Sequence, residues 1–200
     1  MLIFTPKINN GMELIVDLIS EEYCKLNEKL HKAPRGFGGD GHKWVDQVMF
    51  LIQRFGIETM LDYGCGQSTL WKMLRKRYPT IRNLVWYSEY DPCIKKKSKV
   101  PDRMCDLVVC TDVLEHIEPE CLGNVIEHIK SLANRVVFLN INTQLANKVL
   151  PDGRNAHLIV QPKEWWREKL GHIFTAWRVK EMEGKRPNKD YTLFIQRTEK

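Results

Sequence analysis

The sequence predicts an α/β fold built on a largely parallel sheet, and three features predict it. Short apolar segments alternate with helical ones between Thr59 and Ile141. A glycine turn, Gly64-Cys65-Gly66, joins the first of those segments directly to a helix. The runs DLVVCT and RVVFLNI are almost wholly apolar, as strands buried on both faces of a parallel sheet must be. Strand–helix alternation with right-handed crossovers is the arrangement that satisfies all three.

The elements follow in order. Residues 12–31 carry Leu14, Ile15, Leu18, Ile19, Cys24 and Leu26 at helical spacing, with Pro34 as the stop. The stretch from Arg35 to Gly41 has four glycines in the six positions 36–41. Backbone this bare either approaches a ligand closely or serves as a plain linker. Residues 42–55 predict a second helix, with Trp44, Val45, Val48, Met49 and Ile52 on one side and Gly56 as the stop. Thr59 to Tyr63 is the first strand, and a helix runs from Ser68 to about Tyr78 before Pro79. Asn83 to Tyr90 is the second strand, ending at Asp91-Pro92. A third strand spans 106–111, a long helix 113–132 and a fourth strand 135–141. A polar loop (142–156) leads to a helix at 161–170, stopped by Gly171. Strands at 173–181 and 190–197 close the chain as an antiparallel hairpin over Gly184 to Lys189. Residues 1–41 read as an N-terminal arm or lid and 42–200 as one domain, without repeats or low-complexity segments.

Composition bounds the partners. The 200 residues are 43% hydrophobic, enough for a real core. No run approaches the roughly 20 apolar residues that cross a bilayer, and the first residues do not form a signal peptide. A soluble, cytoplasmic protein without a membrane partner is expected. The six cysteines are scattered without a CxxC pair, so buried, reduced thiols are expected and a metal site is not. The net charge is +6, and from Lys72 to Arg103 ten Lys/Arg face three acids. Such a stripe either attracts a polyanion such as nucleic acid or is a solvated face.

Chemistry concentrates at three places. The strand-turn-helix around Gly64 and Gly66 lets backbone pass close to a bound nucleoside. A dinucleotide fingerprint would add a third glycine, but Gln67, Ser68 and Thr69 follow, which argues against NAD. Asp91, at the end of the next strand, is positioned to accept both hydroxyls of a ribose; Asp91-Pro92 taken alone is equally a turn. Asp112 sits where the third strand passes to a helix, on the carboxyl edge of the sheet. Glu115 suits the helix dipole there. His116 titrates in a range useful for proton transfer, or serves packing and capping.

The sequences LDYGCG, YDP and DLVVCTDVLEHI resemble, in order, the cofactor motifs of class I S-adenosylmethionine-dependent methyltransferases. The similarity runs from about His42 to Gln196. The flanking segments RGFGGDGHKW and LPDGRNAHLIVQPKEWW resemble small methyltransferase-like proteins of bacteriophages, which implies a bacterial or phage-infected host cell. The resemblance implies that the turn Tyr63, Gly64, Cys65 and Gly66 lies against the amino-acid end of S-adenosylmethionine, with Asp62 near its ammonium group. Asp91, followed by Pro92, would hold the ribose, and Asp112 and Val113 would line the channel near the methyl group. Phe37 and Lys43 would close over the methionine carboxylate. It further implies a Rossmann-like sheet of seven strands with a C-terminal antiparallel hairpin. Only fourteen residues lie between Asp91 and Asp106, too few for the family's usual helix and strand. The sheet is therefore expected to be one strand and one helix shorter, with Asp102 or a lysine-rich loop at the adenine.

Methyl transfer asks chiefly for alignment of nucleophile, methyl and sulfur, and for a base only when the acceptor must lose a proton. Asn140, Asn142, Asp152, Arg154 and His157 follow the last parallel strand, at the rim where an acceptor would sit. His157 is the best candidate base or orienting group; a loop-anchoring role is the alternative. Trp165 and Trp166 point about 100° apart on a helix, so one of them belongs to the core. Thr111-Asp112-Val113-Leu114 lacks the Pro-Pro-aromatic motif of amino-methylating DNA enzymes, and Cys110 lacks a preceding proline. The expectation is methyl transfer to a small-molecule or nucleotide-like acceptor. The alternatives are a nucleic-acid-modifying enzyme using the 72–103 stripe, and a fold-retaining binding protein without turnover.

Overall fold

The computed structural model describes residues 17–33, 38–186 and 188–198. Phe37, Pro34 and the part of the first expected helix before Asp17 lie outside the described residues. The elements in chain order are α1 (Glu21–Lys32), α2 (Val45–Phe55), β1 (Thr59–Tyr63), α3 (Thr69–Arg77), β2 (Trp86–Tyr90), β3 (Cys105–Thr111), α4 (Leu122–Leu132), β4 (Ala133–Asn142), α5 (Lys163–Ile173), β5 (Trp177–Met182) and β6 (Asp190–Arg197). They build one six-stranded sheet in the order β2-β1-β3-β4-β6-β5. The first four strands are parallel; β6 runs antiparallel to β4, and β5 antiparallel to β6. Between Asp91 and Cys105 there are only turns, so β2 is an edge strand and the sheet is shorter by one strand.

Alternation along the strands divides the core in two. Leu61, Val108, Cys110, Val137 and Leu139 face α4 and α5, where Trp166 is fully buried. Met60, Leu107, Val109, Val136 and Phe138 face α2 and α3, where Trp44 is fully buried. The two sides of the sheet thus carry full apolar layers, and truncating an indole in either would cost about 3–5 kcal/mol.

Several boundaries differ from the sequence expectation, each for a local reason. The first helix begins only at Glu21, because Ser20 takes an extended conformation and its hydroxyl accepts from the Tyr23 N–H at 3.1 Å. The second strand starts at Trp86, since a 3-10 turn occupies Pro79–Asn83. The long helix expected at 113–132 is broken: a 3-10 turn at Leu114–His116 ends with Ile117 extended, and α4 starts at Leu122. Pro119 explains the break, because proline pushes the preceding residue out of helical geometry. Gly171 does not stop α5, which continues to Ile173 because Leu170 and Phe174 are buried against the core. Gly56 does terminate α2, in the left-handed region at φ 56°. Of the paired tryptophans, Trp166 is core and Trp165 packs beside it edge to face at 5.0 Å.

The start of α1 is tied to the turn after β3. Glu118 accepts from the Ser20 N–H at 2.8 Å and the Ser20 hydroxyl at 2.7 Å, and the Tyr23 hydroxyl donates to the His116 carbonyl at 2.6 Å. These bonds hold α1 over the carboxyl edge of the four parallel strands.

Candidate functional site

At that edge β1, β2 and β3 end side by side, and a cleft of about 590 Å³ opens over them. The turn after β1 forms its floor. Gly64 and Gly66 have φ 76° and 48°, a region that side chains rarely adopt. A Cβ on Gly64 would lie 2.3 Å from Val113 Cγ2, and a Cβ on Gly66 would lie 2.3 Å from the Gly38 Cα. The glycines therefore let the Val113 side chain and the Gly38 backbone press onto the turn. The Gln67 N–H donates to the Gly38 carbonyl at 2.9 Å, which pins Gly38 there.

Asp91 ties the strand ends together. Its Oδ2 accepts from the Gly66 N–H at 3.1 Å and its Oδ1 from the Cys93 N–H at 3.0 Å, with His31 Nε2 3.7 Å away. Gly64 and Cys65 both donate to the Tyr90 carbonyl, at 2.7 and 3.1 Å. Asp62 is buried, and its Oδ2 has no hydrogen-bond partner. Burial, reinforced by the nearby Glu89 carboxylate, pushes its carboxyl up to about 8.

Lys97, from the lysine-rich stretch, folds back under the turn. Its Nζ donates to the Gly66 carbonyl at 2.8 Å and sits 3.1 Å from Glu89 Oε2. Lys95, Lys96 and Lys99 stay exposed. Asp102 is also exposed and does not line the cleft, whereas Pro92 and Cys93 do.

Asp112 stands at the opposite side with φ 54°. Trp44 Nε1 donates to its Oδ2 at 3.1 Å, and the Arg186 guanidinium donates to its Oδ1. Arg186 also reaches Asp190 Oδ1 at 2.6 Å and Asn140 Oδ1 at 3.2 Å. Lys43 lines the cleft, with its ammonium paired to Asp40 at 2.6 Å.

Both candidate histidines line the same cleft, ring centroids 4.7 Å apart and nearly perpendicular. His116 Nδ1 donates to the Ala156 carbonyl at 2.7 Å, and His157 Nδ1 donates to the Gln144 carbonyl. Burial, with His157 beside it, pulls His116 down to about 3; burial lowers His157 as well. Both rings are neutral at pH 7. Asn142 lines the cleft, but Asp152 and Arg154 pair with one another outside it. Asn140 is buried and donates to Thr192 at 2.8 Å.

The glycine turn, Asp62, Asp91 and Asp112 are thus one constellation, as their spacing led one to expect. Sequence reasoning missed Gly38, Trp44, Lys97 and Arg186. Three of these come from segments without periodicity, and Trp44 reads as a core indole unless its N–H is followed to Asp112.

A crevice beyond the carboxyl ends of parallel strands, floored by glycines and flanked by acids, is where open α/β proteins bind nucleoside-containing cofactors. The chain belongs to the methyltransferase-domain family, which it matches over residues 23–183. Among solved structures it is similar to the small RNA methyltransferase HEN1, with TM-score 0.60 and 15% identity. That match covers 79% of this chain but 25% of HEN1, so this chain spans a quarter of that one. Magnesium protoporphyrin IX methyltransferase from Synechocystis PCC 6803 with bound SAM matches with TM-score 0.51 and 17% identity, over 96% of this chain and 100% of that one. The DhpI-SAH complex gives TM-score 0.53 and 14% identity, over 90% and 100%. These likenesses show a shared fold. A search of curated proteins finds no sequence match.

The cofactor of this fold is S-adenosylmethionine, and the residues present fit it. A buried carboxylate oxygen without a donor, at Asp62, suits a cationic group. A turn on which a Cβ has no room suits close approach of a ligand to backbone. Among the described residues no helix is long and apolar enough to cross a membrane. All six cysteines are free thiols, five of them buried.

Proposed function

We propose that the chain transfers a methyl group from S-adenosylmethionine to a small-molecule or nucleotide-like acceptor. The observation that carries this reading is the single cleft joining the glycine turn, Asp62, Asp91, Asp112 and the two histidines. When bound, the cofactor's sulfonium supplies both the methyl group and the driving force. The chain's own part is alignment and exclusion of water.

In this reading Asp62 faces the ammonium group, and the backbone of Tyr63, Gly64, Cys65 and Gly66 lies under the amino-acid end. Asp91 takes the ribose hydroxyls with lone pairs left over from its two backbone bonds, and Pro92 shapes that wall. Asp112 and Val113 border the methyl end. Asp112 is held by Trp44 and Arg186, so it orients rather than abstracts a proton. Lys43 borders the entrance. Nδ1 of His157 is occupied by a carbonyl, so Nε2 is the nitrogen left for the acceptor side of the cleft, directly or through a bound group, with His116 beside it.

Calorimetric titration with S-adenosylmethionine and S-adenosylhomocysteine tests this, with Asp91→Asn and Asp91→Ala alongside. Micromolar binding that weakens in Asp91→Asn and vanishes in Asp91→Ala is the expected result. An acceptor screen then starts with nucleotides.

A second reading, a nucleic-acid acceptor, draws on the exposed Lys95, Lys96 and Lys99 next to the cleft wall at Pro92 and Cys93. It requires binding to RNA or DNA that falls steeply with salt. Salt-independent acceptor binding would remove it.

A further inference from the structure

Beside the methyl end of the cleft, three ligating side chains converge. Glu115, His116 and His157 each bring one ligating atom within 4.8 Å of the other two. Glu115 and His116 come from the 3-10 turn after β3, and His157 from the loop after β4.

Their hydrogen bonds fix what those atoms are. A carbonyl only accepts, so His116 donates from Nδ1 to Ala156 and His157 from Nδ1 to Gln144. Each neutral ring then carries its lone pair on Nε2. Glu115 is fully buried; its Oε1 accepts from the Asn142 N–H at 3.0 Å, while its Oε2 meets no donor. A buried carboxylate oxygen left so is costly unless a cation compensates it. Metal-binding histidines are commonly oriented in this way, the second ring nitrogen donating to a backbone carbonyl.

We propose that Glu115 Oε2, His116 Nε2 and His157 Nε2 form a binding site for a divalent transition-metal cation of the manganese, iron or zinc class. Two imidazoles and one carboxylate suit these ions better than calcium or magnesium, which prefer all-oxygen shells. Ligand distances of about 2.0–2.2 Å require the three groups to draw in slightly. Asp112 adds negative charge close by, and Lys148 and Arg186 add positive charge. Both histidines line the cleft, so the open coordination positions face the acceptor. An acceptor oxygen bound there would be polarised and oriented by the ion; this role, unlike the metal site itself, rests on the methyl-transfer reading. The sequence pattern argues against a metal site, because the ligands are an adjacent Glu-His pair and one distant histidine rather than two close-spaced pairs.

The test is titration of the chelator-stripped full chain with Mn²⁺, followed by calorimetry and electron paramagnetic resonance, with and without S-adenosylhomocysteine. Manganese avoids competition from the six thiols that zinc would meet. One ion per chain is expected, bound about tenfold or more weakly in His157→Ala and Glu115→Gln. Circular dichroism confirms folding, and His157→Gln, which keeps a donor for the Gln144 carbonyl, replaces His157→Ala if that variant does not fold. Absence of Mn²⁺ binding at millimolar ion while S-adenosylhomocysteine binds would overturn the metal site. So would binding undiminished in both variants. Mn²⁺ binding that follows the variants, without binding of S-adenosylhomocysteine, would support the metal site and overturn the methyl-transfer reading.

Discussion

Gly38 and Gly66 meet backbone to backbone: a Cβ added to either would come within 2.5 Å of the other's Cα. Gly38 and the Gly64-Cys65-Gly66 turn therefore exclude side chains from each other. Gly66→Ala is expected to destabilise the fold by roughly 1–3 kcal/mol through its positive φ alone, with more from the clash, in a urea unfolding curve. Gly64→Ala differs, because its clash is with the Val113 side chain. Adding Val113→Ala should recover part of that loss, whereas no side-chain deletion rescues Gly66→Ala.

If Asp62 faces the cofactor's ammonium group, as proposed, binding should depend on pH. Its carboxyl is held up at about 8, so the proton must leave before the carboxylate can face a cation. Affinity for S-adenosylhomocysteine should rise with pH toward 8, by at most about tenfold per unit, and then level off. Asp62→Asn should bind more weakly and flatten this rise, as read by calorimetry at several pH values. A profile identical to the parent's would exclude Asp62 from the binding site.

Arg186 bridges Asp112, Asp190 and Asn140. Arg186→Gln leaves two carboxylates without their cation, one of them with its side chain fully buried. Because the guanidinium is partly exposed, a loss of roughly 1–3 kcal/mol is expected, below the cost of breaking a fully buried pair. Chemical denaturation checks this, and Asp112→Asn in the same chain should return part of the loss.

His128 links three segments: the Tyr63 hydroxyl donates to Nδ1 at 3.1 Å, and Nε2 donates to the Pro101 carbonyl at 3.2 Å. Burial lowers its affinity for protons below that of an unfolded histidine. The unfolded chain therefore binds more protons at mildly acid pH, and stability is lost as pH falls through about 6.5. The melting temperature should drop between pH 7.5 and 5.5, and less so in His128→Gln, measured by thermal melts across that range.

The fold was legible where the side chains carry a period. The apolar strands DLVVCT and RVVFLNI and the amphipathic helix at Val45–Phe55 stand where the sequence puts them. The shortened sheet was legible too, because the stretch from Asp91 to Asp106 leaves no length for another crossover. The break at Pro119 is masked in the sequence because Leu114, Ile117 and Leu122 keep helical spacing across it. The acids of the cleft could be found because each lies at a strand end, Asp62 as the penultimate residue of β1 and Asp91 and Asp112 just after β2 and β3. Lys97 could not be separated from the lysines around it, since only the folded loop brings it to Gly66 and Glu89. Arg186 lies 74 positions from Asp112, in a turn whose composition says only that it is a turn.

That separation bears on synthesis. The ribosome delivers Asp112, Trp44 and the four parallel strands before β6 and Arg186 exist, so a nascent chain holds a cleft with one wall unsecured. The hairpin is the closing stitch: the Asp112 wall is secured only once the β5–β6 segment has followed the four parallel strands, rather than strand by strand. A stalled or truncated product ending before Arg186 would retain most of the hydrophobic layers yet be a poor binder.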